Sequence, residues 1–377
     1  MTAFGPALRR HFLLERGTVF LNHGSFGATP RAVLAVAERW RARMEANPDR
    51  FMREVLPREL RKAAGALAGF TGVKAQDLVF VENATAGVNA VLRSLPLRAG
   101  DEILSTTHGY NAVRQAIRFV CSRTGAKSRE IDIGLPLQDF DFLFHELKKR
   151  IGRKTRLLVI DHISSPTGLV FPVKRIAALA RARGVPVLVD GAHAPGQIAL
   201  DIGALGVDWY TGNCHKWLFA PKGSGFLWAR RPAQRHLHAL AISHGYGRGL
   251  AAEFDWPGTR DFSAWLAVPE GIAFLRRLNA TRARNHIHER VTAWAAQVSE
   301  AWGTPVDGPA GLHGAMMAVR LPERWQRADP VRLMAQLLAR RRTVVAINSI
   351  GGALWARMSA QVYHSARDCE PLLELAG

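Results

Sequence analysis

Cysteine is scarce: the 377 residues hold three, Cys121, Cys214 and Cys369, with no CxxC spacing. That excludes a disulfide framework and a cysteine-built structural zinc site, so no metal is expected and a reducing cytoplasm is the expected compartment. Long apolar runs are missing as well; none approaches the roughly eighteen residues of a membrane span. The first ten residues place their charges after the apolar positions and have no h-region, so no secretory signal is expected. Acidic residues are outnumbered, 31 Asp and Glu against 51 Lys and Arg, giving a formal charge of +20. The arginines are scattered, in groups such as Arg340-Arg341-Arg342, without interleaved aromatics or a basic tail. They read as a solvated surface that helps attract anionic ligands; nucleic acid is not an expected partner. Repeats, low-complexity tracts and Gly/Ser linkers are also absent.

What is present is an apolar fraction of 48%, enough for a packed core, in a chain long enough for one large domain and a smaller one. Residues 31–46 read as a helix opened by Thr29-Pro30 as N-cap and N1. Residues 58–69 form a second expected helix. Leu78 to Val81 is a short strand, followed by a small-residue turn and a helix from Thr85 to Leu92. Glu102 to Ser105, Arg156 to Asp161 and Val185 to Asp190 read as buried strands, with helices such as Val173 to Arg183 between them. This alternation predicts an α/β fold with a covered, mainly parallel sheet. From about residue 265 the pattern turns more helical, ending in a strand and a helix. The expected division is a large domain over 15–264 and a small α+β domain over 265–377, with residues 1–14 packing on the latter.

In such sheets ligands bind beyond the carboxyl ends of the strands, so polar residues there come first. Asp190 leaves a buried strand into Gly191-Ala192-His193; alone, such an acid reads equally as a helix cap. Lys216 follows in the stretch Asp208 to Leu227, which is apolar, aromatic and glycine-rich. A lysine is seldom buried without purpose, and desolvation pushes it toward the free amine that imine formation needs. Asn83-Ala84-Thr85 sits between strand and helix, where backbone N–H groups and a hydroxyl make a phosphate cradle or simply a cap.

Taken together these segments resemble the class V aminotransferase family, and its isopenicillin N epimerase-like proteins in particular. Gly212-Asn213-Cys214-His215-Lys216 with Gly223-Ser224-Gly225 is similar to the family's lysine signature, with Asn213 where a small residue is usual. Asp190-Gly191-Ala192-His193 is similar to its strand-end motif. Subgroup likeness is carried by Phe20 to Pro30, Tyr110 to Val113, Ser165 to Gly168 and Gly258 to Asp261. The matched motifs run from Asn22 to Tyr363. The resemblance implies the pyridoxal 5'-phosphate-dependent transferase fold (fold type I, aspartate aminotransferase-like), a large mainly parallel-sheet domain plus a small α+β domain. It implies the cofactor as a Schiff base on Lys216, with Asp190 on the pyridine nitrogen and His193 near the ring oxygen. It further implies Ala84, Thr85 and His215 at the phosphate, and Tyr110 stacked on the ring, with His108 as the second choice. Ser165 stands where many relatives carry an Asn near the ring oxygen. Arg357 would clamp the substrate carboxylate, and the loop bearing Asn22 and His23 would line the substrate entrance. Gly258-Thr259 would reach the phosphate of a neighbouring subunit, so a homodimer is implied.

The implied function is a pyridoxal-phosphate enzyme acting at Cα of a small amino-acid substrate, with epimerisation, transamination and C–S lysis open. Lys216, once displaced by substrate, is the natural base. Epimerisation needs a second group on the opposite face, for which Tyr110 and His23 are candidates. A desulfurase would need a cysteine upstream of Arg357 on a mobile loop, and none lies between Cys214 and Arg357. The reading from a different class is a non-catalytic protein recruited to nucleic acid by its charge.

Overall fold

A computed structural model describes residues 4–375; residues 1–3 and 376–377, the ends of the two expected terminal segments, lie outside the described residues. The centre is a seven-stranded sheet. Its strands are β1 (Leu78–Val81), β2 (Glu102–Thr106), β3 (Lys127–Ile131), β4 (Thr155–Asp161), β5 (Val187–Asp190), β6 (Trp209–Asn213) and β7 (Gly225–Ala229). Their spatial order is β1-β7-β6-β5-β4-β2-β3. All neighbours run parallel except at β7, which is antiparallel to both β6 and β1.

Strands buried on both faces must be apolar throughout rather than alternating, and β1, β5, β6 and β7 are buried at every position. The period-two geometry sends their side chains into two separate cores. Val79, Ile103, Leu157, Val159, Leu188 and Leu227 join one core, and Phe80, Leu104, Leu158, Ile160, Val189 and Phe226 join the other. The first core is closed by helices α3 (Ala84–Ser94) and α4 (Asn111–Thr124), which contribute Val88, Val91, Ile117 and Val120. The other is closed by α1 (Arg31–Ala46), α2 (Leu56–Thr71), α5 (Asp141–Arg150) and α6 (Val173–Arg181). Edge strand β3, Lys-Ser-Arg-Glu-Ile, alternates exposed and covered residues and carries no apolar run.

Several element ends shift by one or two residues from the expected ones, and two of these shifts have a clear local cause. Helix α1 is capped by Pro30, whose ψ of 146° is extended, so Thr29 is not the N-cap; its hydroxyl donates instead to the Ala220 carbonyl at 3.1 Å. Helix α3 begins at Ala84, because the Asn83 side chain accepts from the Ala86 amide at 3.0 Å, a cap worth about 1 kcal/mol.

Beyond the sheet, α7 (Val268–Arg277) packs on α1 and α2, with Gly271 against the Leu218 carbonyl. The 23-residue helix α8 (Ala280–Trp302) then leads to a three-stranded antiparallel sheet. This sheet is made of β8 (Met316–Arg320), β9 (Ala346–Ile350) and β10 (Ala353–Ser359), in the order β9-β10-β8. The N-terminal stretch rides with this part: Gly5 donates to the Val362 carbonyl at 2.8 Å, and Val19–Phe20 pairs in parallel with Thr343–Val344. No helix among the described residues is long and apolar enough to cross a membrane.

Candidate active site

The parallel strands deliver their carboxyl ends, and antiparallel β7 its start, to one edge of the sheet. Register aligns Asp161 with Asp190, Asp190 with Thr211, and Gly225 with both Asn213 and Val81. Above this row lies a cavity of about 440 Å³ lined by Ala84, Thr85, Tyr110, Ser165, Asp190, His193, His215 and Lys216, with Ser25, Phe26, Glu82, Asp161 and Asn213 among the further walls. Eight of the sequence-derived site residues thus meet in one space.

Lys216 follows the turn after β6 and is buried among aromatic and apolar neighbours. Burial drives its ammonium down to about 7; the Arg357 charge adds to this and Asp190 opposes it. Its Nζ lies 3.0 Å from His193 Nε2, and the Trp217 indole N–H donates to His193 Nδ1 at 3.4 Å. An indole nitrogen can only donate, so Nδ1 accepts. Burial holds His193 well below the ordinary imidazole value, with the Lys216 charge second. A neutral ring accepting at Nδ1 carries its hydrogen on Nε2, and that hydrogen can be received only by an unprotonated amine. The local geometry therefore stabilises Lys216 as the free base, the nucleophilic form.

Facing the amine, Asp190 is buried and accepts from the Ala192 amide at 3.0 Å; burial raises its carboxyl above the ordinary value, opposed by that amide and by Lys216. Gly191 is required here, since a Cβ would stand 2.2 Å from the Tyr210 ring that packs beneath. Tyr210 is held in turn by His162 Nδ1 at 2.8 Å from its hydroxyl.

At the N-terminus of α3 the first donors are mostly spent. Ala84 N–H donates to Asn213 Oδ1 at 2.8 Å, Ala86 N–H to Asn83 Oδ1, and Gly87 N–H to the Asn83 carbonyl. The Thr85 amide and hydroxyl remain for an anion at the positive end of the helix. His215 donates from Nδ1 to the Ser224 carbonyl at 3.0 Å, which leaves Nε2 as its free nitrogen.

Arg357, on β10, is 3% exposed, yet every partner of its guanidinium is neutral. It donates to Asn22 Oδ1 at 2.8 Å, to Ser25 Oγ at 2.9 Å and to the Ser165 carbonyl, and its Nε has no protein partner. Burial lowers it to about 10, opposed by Tyr110. A buried cation without a counter-ion is costly unless an anion completes it. Pyridoxal 5'-phosphate and an amino acid fit these residues: a free amine for the aldehyde, a buried acid for the ring nitrogen, helix donors for the phosphate and an unneutralised Arg for a carboxylate.

Not every expected residue reaches the cavity: Arg357 is not among its walls and meets it through Ser25 and the Ser165 carbonyl. His23 is fully buried and faces away, with Nδ1 3.0 Å from the Tyr363 hydroxyl and Nε2 3.0 Å from the Lys216 carbonyl; burial drops it to about 3. It braces the lysine turn from behind. Asn22 does not line the cavity either, and acts through Arg357. Thr259 is exposed and outside the lining, but its neighbour Arg260 pairs with Glu82 at the cavity rim and lies 4.7 Å from the Trp265 ring centroid. Of the two ring candidates after β2, Tyr110 lines the cavity while His108 is buried against Phe171 and lowered to about 4. Asp161, Asn213 as a holder of the helix terminus, Ser25 and Glu82 escaped the sequence reading. Only Asp161, a second acid ending a buried strand, carried a signal that could have been used.

The family model for aminotransferase class-V matches residues 19–352. The chain is 37% identical over 329 residues to the putative L-cysteine desulfhydrase 1 of Oryza sativa subsp. japonica, covering 82% of this chain and 68% of that protein. It is 35% identical to the isopenicillin N epimerase of Amycolatopsis lactamdurans, over 99% of this chain and 98% of that one. In fold it resembles the apo cysteine desulfurase from Thermococcus onnurineus NA1, with a TM-score of 0.85 at 20% identity, over 99% of this chain and 97% of that one. The chain belongs to the class V aminotransferase family, the pyridoxal 5'-phosphate enzymes of fold type I, within reach of its isopenicillin N epimerases.

Proposed function

We propose that Lys216 is both the covalent anchor of the cofactor and the base that removes the Cα proton of an α-amino acid held by Arg357. The observation that carries this is the Trp217-to-His193-to-Lys216 hydrogen-bond order, which favours the unprotonated amine in a cavity whose lining residues Ser25 and Ser165 hold the unneutralised Arg357 guanidinium. Bound pyridoxal phosphate supplies an electron sink for the pair left when a Cα bond breaks. Asp190 holds a proton at the ring nitrogen, His193 orients the amine, and the Thr85 amide and hydroxyl with His215 Nε2 hold the phosphate, the Ala84 amide being spent on Asn213. Tyr110 covers the ring, and Ser165 fixes Arg357 through its carbonyl. Thr259 is proposed to reach the phosphate of a second copy in a homodimer, with Arg260 anchoring its segment on Glu82. The three free, buried cysteines support a reducing, cytoplasmic setting.

The first reading of the reaction is epimerisation, with the proton returned to Cα from the face away from Lys216. Near-complete coverage of an isopenicillin N epimerase supports it. Tyr110 is the half-exposed hydroxyl at the cavity suited to that second face, whereas His23 is turned away. The second reading is C–S bond lysis at a sulfur-bearing β-carbon, favoured by the likeness to the putative L-cysteine desulfhydrase 1 and needing only the one base. Amino transfer to a keto acid is the third. Sulfur transfer to an enzyme thiolate is disfavoured, because burial pushes the thiols of Cys121, Cys214 and Cys369 up. The test is a visible spectrum after supplying pyridoxal phosphate, followed by an L-amino-acid panel in D₂O. A bound chromophore that Lys216→Ala abolishes is expected, with deuterium entering Cα and optical purity falling. Pyruvate and sulfide from L-cysteine without Cα exchange would select lysis, and a wild type that stays colourless would overturn the whole reading.

A further inference from the structure

One buried acid lining the cavity, Asp161, has no part in the chemistry of Lys216, Asp190 and Arg357. Asp161 ends β4 as Asp190 ends β5, and the two are in register on neighbouring parallel strands, which at a strand spacing of about 4.8 Å sets the two acids side by side. Strand parity puts both on the face covered by α3 and α4, since Val159 and Leu188, two residues before each, belong to that core. Both line the cavity and both are buried, at 5% and 3% exposure.

The cations within reach are already committed. Arg114, whose side-chain stem lies beside Gly109 next to Asp161, gives two bonds of 2.7 Å to Glu130. Lys216 across the cavity is favoured as free amine by His193, and Arg357 donates to Asn22, Ser25 and the Ser165 carbonyl. Tyr210 on β6 is in register with Val189 and packs on the opposite face, its hydroxyl 2.8 Å from His162 Nδ1 and its proton held by burial and then by Asp190, so it does not neutralise the pair. The Tyr110 amide favours a charge on Asp161, but burial and then Asp190 outweigh it, so its carboxyl stands well above the ordinary value. Two adjacent buried carboxyls that share at most one cation retain a proton between them.

We propose that Asp161 is a positioning residue that remains protonated and donates to Asp190, so that the pair presents a single, oriented negative charge to the cofactor's ring nitrogen. This rests on the assignment of Asp190 to that nitrogen. A neutral donor behind Asp190 fixes which oxygen faces the ring and tempers its basicity, which a lone buried aspartate could not do.

The test compares Asp161→Asn, which keeps shape and a donor, with Asp161→Ala, each followed by thermal unfolding against pH without cofactor and by pyridoxal-phosphate titration. Carboxyls raised in the folded state hold protons that the unfolded chain releases, so the wild type loses stability as pH rises above the ordinary carboxylate range. Asp161→Asn is expected to flatten that fall, matching the wild type near pH 4 and melting higher near neutrality. Its cofactor affinity should stay within about threefold of wild type, while Asp161→Ala loses roughly tenfold or more, the scale of one buried hydrogen bond. In the wild type itself, infrared spectroscopy near neutral pH should show a protonated carboxyl, which needs no variant to fold. Unfolding curves of Asp161→Asn and wild type that run parallel at all pH values, equal loss of affinity in both variants, or no protonated carboxyl would each overturn the shared proton. A wild type that does not bind pyridoxal phosphate would instead overturn the reading of the site.

Discussion

Arg357→Gln isolates the carboxylate handle. In the free protein the guanidinium is held by Asn22, Ser25 and the Ser165 carbonyl, all neutral, and its Nε is unpartnered. A substrate carboxylate adds two charge-assisted bonds, each worth about 1.5–3 kcal/mol. Gln returns one neutral bond of about 1 kcal/mol, so the loss centres on about 3.5 kcal/mol, roughly two to three orders of magnitude in kcat/KM. The discriminating assay measures turnover or spectral response to an L-amino acid and to the corresponding amine without its carboxylate. The wild type should prefer the acid by that factor, and Arg357→Gln should accept both nearly equally. Folding is controlled independently: removing a buried cation that lacks a counter-ion offsets the bonds lost to Asn22 and Ser25, so the cofactor-free variant should unfold within about 2 kcal/mol of wild type. A wild-type preference for the acid in a folded Arg357→Gln would refute the assignment.

Two further perturbations address the amine. Trp217→Phe removes the donor that fixes His193 and allows the hydrogen to move to Nδ1, so Nε2 becomes an acceptor that favours protonated Lys216. The pH at which cofactor attachment is half-maximal should rise from about 7, read by stopped-flow absorbance; an unchanged profile would sink the tautomer argument. Because the folded amine lies below its unfolded value of about 10.5, stability without cofactor should rise from pH 7 toward that value, and less so in Trp217→Phe. Gly27→Ala would put a Cβ 1.9 Å from the His215 carbonyl at a φ of 70°; strain of about 1–3 kcal/mol plus displacement of the lysine turn should cut cofactor occupancy sharply, measured by absorbance per subunit. Full occupancy would show that the turn tolerates the shift.

The large sheet was readable because strands covered on both faces are continuous apolar runs, and β1, β4 and β5 fall where those runs lie. Strand β3 was not, since an exposed edge strand needs no such run and Lys127 to Ile131 has none. The lysine segment stood out because Lys216 is a charge in an apolar context. Asn22 and His23 show the opposite case. The polar loop suggested that both line an entrance, but a single helical turn at His23–Phe26 points successive side chains about 100° apart. Asn22 and Ser25 therefore serve Arg357 while His23 braces the Lys216 carbonyl. Asn213 was unreadable for another reason: it acts on a helix terminus brought beside it by the fold, which has no local signature, whereas Asp161 was visible as an acid ending a buried strand and only its register with Asp190 was not.

One physical theme links these residues. Burial pushes Lys216 and Arg357 down and Asp190 and Asp161 up, so each of these four groups is driven toward its neutral form. On the proposed reading such a site would store the cost of desolvation until ligands supplied what is missing: a protonated ring nitrogen for Asp190, a phosphate for the free donors of α3, and a carboxylate for Arg357. Each ligand charge would then land opposite a group already stripped of water, where an interaction counts for more than it would at the surface. The fold is thereby more stable with its ligands than without, and the same desolvation that makes Lys216 a nucleophile makes Arg357 selective for an anion. Neither property belongs to either residue alone; both follow from placing them at one edge of a sheet covered on both faces.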